Sequence, residues 1–426
     1  MQIRLKAFLM IMAFGPIAVG QSNWTNMITV ETSPTISLSQ LASDPAGKLA
    51  ILAQKHDGQT TGQDVRYPGI YRRHADIYVT HADSLNSSWT TPVRLSNPLQ
   101  FNVEPDICAG AQNEFWVTWT SGDPFSDFRL HTAVTIDGGI SYTTQTIRQS
   151  ITDQNQGSIF PQIEKAGAAT ILSATGFQQN LSHRPSRAYF KTSSIGDFTS
   201  SITYETDLPA SSATEQIMSS PDLKSNGANI LIQPFCHIYS DPAFNPPLVS
   251  SPLLVRSTDG GMTWTQHDDL ITSRVGPHIA LNTDRQGTWV ILYKVRIEKT
   301  GYNGSWCVQV SRNDGLTWNS PQLLSPSNMD LYSPPIYLET DGAGRWLAVC
   351  SNRLFTYSED NGGTWAPVTF LQSPLAPHSI SDLDYLGSGK WALVGNYRES
   401  FNSPYRQVIS TMQWGESEIC DWELYD

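Results

Sequence analysis

Residues 257–264 read Ser-Thr-Asp-Gly-Gly-Met-Thr-Trp, and residues 135–142, 311–318 and 358–365 carry the same pattern. A Ser or Thr is followed two residues later by Asp or Asn, then by a glycine-containing turn, and finally by Ser or Thr and an aromatic residue. Glycine permits the positive φ angles of a tight turn, and an Asp or Asn side chain accepts backbone N–H groups inside it. We call this motif the Asp-box and interpret it as a structural hairpin turn.

A second motif, a proline followed closely by a short apolar run, recurs roughly every 55 residues. The prolines are Pro34, Pro105, Pro161, Pro221, Pro277, Pro334 and Pro377. A repeat of this length, built from short strands and turns, is typical of radial or solenoidal proteins. Alternating β-branched and aromatic residues predict four antiparallel strands per repeat, as in residues 106–109, 114–119, 130–136 and 144–147. The predicted fold is an all-β propeller of four-stranded antiparallel blades, with seven blades favoured and six as the alternative.

The N-terminal region has the pattern of a signal peptide. Arg4 and Lys6 precede an apolar stretch, and Ala18-Val19-Gly20 supplies a small-residue cleavage site. We therefore expect residues 1–20 to be removed, residues 21–426 to form a single domain, and the protein to be secreted or periplasmic. Residues 22–31 are expected to add a strand to the last blade and so to close the ring.

Charge and cysteine content limit the classes of partner. The formal net charge of -12 argues against nucleic acid and against an anionic membrane surface, and no later segment is apolar enough to be inserted into a bilayer. The five cysteines have no metal-ligand spacing, and we interpret most of them as buried structural residues, although a Cys307–Cys350 disulfide is conceivable. No cofactor and no metal is predicted; Asp106, His278 and His378 are the residues through which a metal would otherwise bind. A monomer is expected.

The candidate site follows from the propeller. Inner strands line a central channel, and their starts surround one mouth of it. The proline motifs predict equivalent positions there for Thr35, Asp106, Gln162, Asp222, His278, Pro335 and His378, with Glu104 on the same rim. Carboxylates and imidazoles on one ring provide general acids and bases, so Glu104, Asp106, Asp222, His278 and His378 are catalytic candidates, and Gln162 is a substrate-binding candidate. The alternative is that these residues pair with the neighbouring backbone at the starts of the blades.

Arginine recurs near the loops between second and third strands. The predicted substrate-binding arginines are Arg73, Arg129, Arg187, Arg296, Arg353, Arg398 and Arg406. Arginine offers planar, bidentate donors for carboxylate or sulfate groups. The alternative is that these arginines pair with Asp and Glu side chains of the same loops.

The Asp-boxes, the blade-length spacing and the export signal together resemble the sialidase-like superfamily of Asp-box (BNR-repeat) propellers, across nearly all of the mature chain. The resemblance implies an exo-glycoside hydrolase in which arginines bind the substrate carboxylate, a Tyr assisted by a Glu is the nucleophile, and an Asp is the acid/base. Tyr332, followed by Ser333, resembles the nucleophile segment of that family. Where the family has Arg-Ile-Pro, this chain has Ser33-Pro34-Thr35-Ile36.

The expected function is that of a secreted, carbohydrate-active propeller, and a sialidase-like hydrolase of anionic glycans is favoured. Two alternatives stay open. A polysaccharide lyase acting on uronic acids would use a His or Tyr base facing an arginine. A non-catalytic propeller would bind a glycan or a protein at the same mouth. Hydrolysis requires two carboxylates across the funnel, and Asp106, Glu104 and Asp222 are the candidates.

Overall fold

β-strands make up the regular structure of the chain. The computed structural model describes residues 24–32, 36–63, 71–97, 101–123, 127–147, 156–178, 184–193, 198, 203–207, 216–219, 222–240, 248–267, 275–296, 303–324, 329–330, 336–350, 352–371, 379–397 and 406–414. In this part of the chain there is no helix long and apolar enough to cross a membrane.

The strands follow one another in short hairpins. In chain order they are β1 (Trp24–Thr32), β2 (Ile36–Ser43), β3 (Leu49–Gln63), β4 (Tyr71–Ala82), β5 (Val93–Arg94), β6 (Phe101–Ala109), β7 (Phe115–Asp123), β8 (Asp127–Thr135), β9 (Thr143–Ile147), β10 (Gln156–Ala166), β11 (Ala169–Gln178), β12 (Arg184–Ser193), β13 (Thr203–Asp207), β14 (Gln216–Ser219), β15 (Lys224–Ser225), β16 (Leu231–Ser240), β17 (Leu248–Ser257), β18 (Thr265–His267), β19 (Val275–Thr283), β20 (Trp289–Arg296), β21 (Asn303–Ser311), β22 (Gln322–Leu323), β23 (Met329–Asp330), β24 (Ile336–Thr340), β25 (Trp346–Cys350), β26 (Leu354–Ser358), β27 (Thr369–Phe370), β28 (Ser379–Gly387), β29 (Lys390–Tyr397) and β30 (Arg406–Gln413).

These strands form a β-propeller. Five antiparallel sheets have four strands each: β2–β5, β6–β9, β10–β13, β24–β27, and β28–β30 with β1. The inner strands β2, β6, β10, β15, β19, β24 and β28 contact one another in this order, and β28 contacts β2, so the ring is closed. We call the end at which inner strands begin the upper face. The opposite end, with the first-to-second and third-to-fourth strand turns, is the lower face.

The number of sheets differs from the favoured prediction. The described strands form six sheets, the number given as the alternative, and not seven. The reason is that two sequence repeats lie in one ten-stranded sheet, β14–β23, whose halves are joined by a single residue pair, Ser250 with Val275. Each half keeps the antiparallel order of the other sheets.

The N-terminal strand closes the last sheet, as predicted. β1 pairs with β30 from Trp24 opposite Met412 to Thr32 opposite Arg406. With β1 in place the last sheet has four strands like the other four-stranded sheets, and β30 is paired on both sides.

The core lies between neighbouring sheets. Trp289, Trp306, Trp346 and Trp391 are fully buried there, and each belongs to a hydrophobic cluster between sheets or sheet halves. Cys108, Cys307 and Cys350 are buried free thiols. The interpretation of these cysteines as buried structural residues is confirmed, and no Cys307–Cys350 disulfide forms.

The four Asp-box segments share one turn geometry. In the segment after β17, Oδ1 of Asp259 accepts the N–H of Met262 at 3.0 Å and that of Thr263 at 2.8 Å, and Oδ2 accepts the Thr263 hydroxyl at 2.6 Å. Asn313 does the same with one change, because its Nδ2 donates to the Thr317 hydroxyl at 2.9 Å while its Oδ1 accepts the Thr317 N–H at 2.9 Å. The turn therefore needs a short side chain with one acceptor oxygen.

Close packing explains the turn glycines and the aromatic residue of the motif. Gly315 has a φ of 75°, and a Cβ there would lie 2.1 Å from Cδ1 of Ile232 in the preceding sheet half. Trp264, Trp318 and Trp365 each pack against the hydrophobic cluster shared with the preceding unit. The aromatic residue of each of these Asp-boxes thus covers the interface between its own unit and the preceding unit.

Replacing Asp259 tests this role. We expect Asp259→Ala to lower the free energy of unfolding by about 2 kcal/mol, because backbone N–H groups lose their acceptor. Asp259→Asn should cost less than half as much, since Asn313 performs the same task elsewhere in the chain. Urea unfolding measures both, with the exposed neighbour Met262→Ser as control. Equal losses for the Ala and Asn variants would contradict this account of the turn.

Candidate functional site

Side chains on the inner strands join each blade to the next around the channel. The backbone N–H of Ile163 donates to Oδ2 of Asp106 at 2.9 Å. The N–H of Leu223 donates to Oε1 of Gln162 at 2.8 Å, and that of Leu281 to Oδ2 of Asp222 at 3.2 Å. The alternative interpretation, in which these residues pair with neighbouring backbone, is therefore confirmed for all three. Their catalytic or substrate-binding role stays a prediction.

The same bond identifies the equivalent positions on the other strands. The N–H of Leu41 donates to Oδ2 of Asp382 at 2.7 Å, so β28 contributes Asp382 and β2 contributes Gln40, the residue before Leu41. In β19 the equivalent residue is Ala280, because Leu281 is the residue bonded to Asp222. The register of β24 places Tyr337 at this level.

The equivalence predicted from the proline motifs was wrong for the remaining repeats. It assigned Thr35, His278, Pro335 and His378 to the positions that Gln40, Ala280, Tyr337 and Asp382 occupy. The cause is a register shift that differs between strands. In β19, Val275 and Ile279 pair with Val295 and Tyr293 of β20. In β6, Val103 and Asp106 pair with Thr120 and Thr118 of β7, so β6 bulges by fewer residues than β19. The number of residues between the proline and the channel position is therefore not constant.

A second set of polar residues lies two positions further along the inner strands. It consists of Glu164, Lys224, Asn282, Glu339 and Asp384. The Nδ2 group of Asn282 donates to the Leu338 carbonyl at 3.0 Å, and Oε1 of Glu339 accepts the Thr340 N–H at 2.8 Å. Together with Asp106, Asp222 and Asp382, these residues place six carboxyl groups and one ammonium group inside the ring.

Burial dominates the electrostatics of this cluster. Part of each side chain remains accessible to water, but the side chains lie inside the ring, where the protein around them keeps them away from bulk solvent. Burial raises the pKa of Asp106 to about 6, of Glu164 to about 7, of Asp382 to about 7 and of Asp222 to about 8. It also raises the pKa of Glu339 and of Asp384. Asp106, Glu164, Asp222 and Asp382 therefore exchange protons near neutral pH.

Lys224 provides the opposing charge. Burial disfavours its ammonium form, but the carboxylates of Glu164 and Asp222 more than offset this effect and raise the pKa of Lys224 above its ordinary value. In return, the lysine opposes the rise in the pKa of Asp222. The lysine is thus charged in the folded protein and limits the repulsion among the carboxylates.

Several predicted residues have only their backbone position described. Glu104 lies in β6, Arg73 in β4, Arg187 in β12, His278 in β19 and Arg296 in β20. All five lie in the half of their strand nearer the upper face, and their predicted roles stay predictions. Tyr332, His378 and Arg398 lie outside the described residues, as do Thr35 and Pro335.

Of the predicted substrate-binding arginines, Arg129, Arg353 and Arg406 have described side chains, and each interacts with other residues of the protein. The guanidinium carbon of Arg353 lies 5.5 Å from the ring centroid of Phe370, and burial lowers the pKa of this arginine. Burial, and then the charge of Arg129, lower the pKa of His131 to about 4. Arg406 also has a partner. Pairing with loop carboxylates and substrate binding both stay predictions for these three arginines.

Sequence reasoning missed five residues of the channel cluster: Glu164, Lys224, Glu339, Asp382 and Asp384. A signal for them exists, because the inner strands share a pattern in which polar residues flank one apolar residue. Gln162-Ile163-Glu164, Asp222-Leu223-Lys224 and Asp382-Leu383-Asp384 show it directly. Among the described residues, no group of three or more His, Cys, Asp or Glu side chains is arranged to hold a metal ion.

Comparison with known proteins agrees with the architecture. No protein-family model and no curated protein matches the sequence. Among solved structures, YCF48 from Cyanidioschyzon merolae is similar, with a TM-score of 0.51, 12% identity, and coverage of 91% of this chain and 99% of that one. A protein of unknown function from Dyadobacter fermentans gives a TM-score of 0.52 at 8% identity, covering 92% of this chain and 98% of that one.

A microbial sialidase is also among the similar folds, with a lower TM-score. The Hadza microbial sialidase Hz136 gives a TM-score of 0.48 at 12% identity, and the match covers 89% of this chain and 66% of the sialidase. At such identities the likeness concerns the fold alone. YCF48 and the Dyadobacter fermentans protein, whose TM-scores are above 0.5, agree with the β-propeller that the described strands form.

The channel carboxyls predict a specific pH dependence of stability. A carboxyl whose pKa is raised on folding binds its proton more tightly in the folded state, so stability falls as pH rises from about 4 towards the folded-state value. For Asp222, with a folded pKa of about 8, this loss extends across neutral pH. We expect Asp222→Asn to become progressively more stable than the wild type as pH rises from about 5 to about 8. The slope of this stability difference against pH should correspond to about one proton, the one that folded Asp222 keeps and the unfolded chain releases.

Urea unfolding at several pH values measures this difference. Gln162→Glu is the matched reverse variant, because it adds a carboxyl at the equivalent position of the ring. It should lose stability relative to the wild type over the same pH interval. A constant difference between Asp222→Asn and the wild type at all pH values would contradict a raised pKa of Asp222.

Proposed function

We propose that the protein is an exported glycoside hydrolase that acts on anionic glycans at the upper mouth of the propeller channel. The observation that carries this proposal is the cluster of channel carboxyls whose pKa values are raised to between about 6 and about 8. A carboxyl that is protonated at neutral pH can act as general acid towards a glycosidic oxygen, and a second, ionised carboxyl can act as nucleophile or base. We infer that each half of the ten-stranded sheet acts as one blade, so that seven repeats surround this site.

The roles within the cluster follow from the two pKa values. Asp222 has the higher pKa, about 8, and is assigned as the acid; Asp106, with a pKa of about 6, is ionised at neutral pH and is assigned as its partner. Oδ2 of Asp222 accepts a backbone N–H, which leaves Oδ1 to carry the proton. The upper-face arginines, such as Arg73 and Arg296, supply the positive charge for a substrate carboxylate.

A second candidate is a propeller that binds a glycan without cleaving it. The observation in its favour is that Asp106, Gln162 and Asp222 all accept hydrogen bonds from the next inner strand, which gives each a structural reason to be present. The two functions differ in whether turnover depends on the acidity of Asp222 or only on the intact ring.

Product masses test the hydrolase. The protein is incubated with sialylated, uronic and sulfated glycans, and fragments heavier by one water per cleavage are expected. Asp222→Asn should reduce turnover by about 100-fold or more, because it removes the proton donor. It should leave the ring intact, since the Asn oxygen still accepts the Leu281 N–H. Asp382→Asn is the matched control, because Asp382 makes the same type of bond at another interface.

Three outcomes distinguish the candidates. Loss of turnover in Asp222→Asn alone supports the hydrolase. Equal losses in Asp222→Asn and Asp382→Asn would show that only ring structure matters and would overturn the assignment of Asp222. Binding without any change in glycan mass would favour the second candidate, and fragments whose masses sum to that of the substrate would identify a lyase instead.

A further inference from the structure

A groove opens on the lower face, between the β6–β9 and β10–β13 sheets. Its volume is about 840 Å³, within the range of ligand-binding sites. The two hairpin turns after β6 and β10 form its inner wall, and the start of β9 forms its outer wall. The groove is remote from the predicted mouth, because the strands place these turns at the opposite end of the sheets.

The sequence explains why this interface is open. Elsewhere the aromatic residue of an Asp-box packs against the preceding unit, as Trp264 and Trp318 do. No Asp-box occurs between residues 143 and 256, so the β10–β13 unit lacks that seal. Phe198 fills the core of the interface instead, where its ring lies edge-on to Trp116 with a centroid distance of 5.8 Å.

The floor of the groove carries a fixed charge pair. Nζ of Lys165 donates to Oε1 of Glu114 at 3.0 Å and to the Thr170 hydroxyl at 3.2 Å. The same Glu114 oxygen accepts the Trp116 indole N–H at 2.5 Å, and its other oxygen accepts the N–H of Ala111 at 2.8 Å. Glu114 therefore accepts three hydrogen bonds, whereas the lysine ammonium has three N–H groups and uses two of them.

Arg285 contributes an exposed guanidinium to the rim. Its backbone N–H donates to Oγ1 of Thr283 at 3.1 Å, whereas its guanidinium has no hydrogen bond or ion pair to the described residues. The side chain lies beside Gly227, where an added Cβ would be 3.6 Å from Cδ of the arginine. Left-handed backbone at Arg285, with φ of 59°, places it at the tip of the turn after β19. Its charge acts on Glu164 and Glu339 only through space.

The remaining lining favours a sugar over a peptide. Hydroxyl and amide groups line the outer wall, from Ser141, Thr143 and Gln145, and they match the hydroxyl groups of a saccharide. The described lining has no deep apolar pocket for a peptide anchor, since Trp116 is buried and Ile136, which is 78% exposed, projects from the rim. The surplus of donors from Arg285 and Lys165 selects a ligand with carboxylate or sulfate groups.

We propose that this groove is a second carbohydrate site, which binds an acidic oligosaccharide through Arg285 and Lys165 without cleaving it. The proposal is independent of hydrolysis at the channel. Such a site would hold a long anionic chain on the lower face while another part of the chain reaches the upper mouth.

Titration calorimetry tests this second site. The full chain is titrated with uronate, sulfated and sialylated oligosaccharides, and each is compared with a neutral oligosaccharide of equal length. Arg285→Gln should weaken binding of the acidic ligand by about tenfold or more, which corresponds to the loss of one charge-assisted hydrogen bond. Lys165→Gln should weaken it less, because that amine already has two partners. Arg312→Gln, which removes the same charge from another exposed turn of the lower face, should bind as the wild type does.

Hydrogen exchange locates the ligand. Binding should slow amide exchange in residues 109–116 and 165–170, and Asp222→Asn should give the same protection, which separates the groove from the channel site. The proposal would be overturned if Arg285→Gln bound the acidic ligand as tightly as the wild type, or if Arg312→Gln lost as much affinity as Arg285→Gln. It would also be overturned if neutral ligands bound as tightly as acidic ones, or if no ligand of the panel bound.

Discussion

A hydrogen bond from the backbone of one inner strand to a side chain of the preceding inner strand ties the ring together. It occurs at Asp106, Gln162, Asp222 and Asp382, always with the N–H of the residue that follows the equivalent position in the next repeat. Strand pairing cannot provide this connection, because in the described part of the chain the ladders run within sheets and a single residue pair joins two repeats. The hydrophobic clusters hold neighbouring sheets face to face, while these bonds fix their register at the axis.

This constraint explains the acidity of the channel. An acceptor at this position must carry an oxygen and reach the next strand, and Asp satisfies both conditions, as Gln162 does in β10. Repetition then brings several carboxyls into one enclosed space, where burial raises their pKa values. Lys224 offsets part of the resulting repulsion. A structural solution used in several repeats therefore creates titratable groups near neutral pH, and this is what makes the same residues candidates for acid catalysis.

The sequence predicted the parts of the fold that depend on local rules. The Asp-box turns, the antiparallel hairpins and the closing strand at residues 24–32 each follow from turn chemistry or from strand patterning, and each is present. The channel positions depend on register instead. An extra residue in a β-bulge shifts every later side chain, so Ala280 and not His278 reaches the level of Asp222. Proline spacing carries no information about such bulges. Glu164 and Lys224 were not predicted for the same reason, because their place in the channel depends on strand register.

A repeat protein acquires function where its repeats cease to be equivalent. The apolar residue at the centre of the inner-strand pattern, such as Ile163, Leu223 or Leu383, is nearly constant and therefore structural. The residues two positions after those that accept the inter-strand hydrogen bond differ between repeats. In β2 and β6 they are Ala42 and Cys108, which pack into hydrophobic clusters. The corresponding residues of β10, β15 and β24 are Glu164, Lys224 and Glu339. The ring is thus apolar on one side and charged on the other. Because β2 and β6 carry small apolar residues at this level, the ring does not require charge there, and the charged side is therefore where the proposed chemistry is placed.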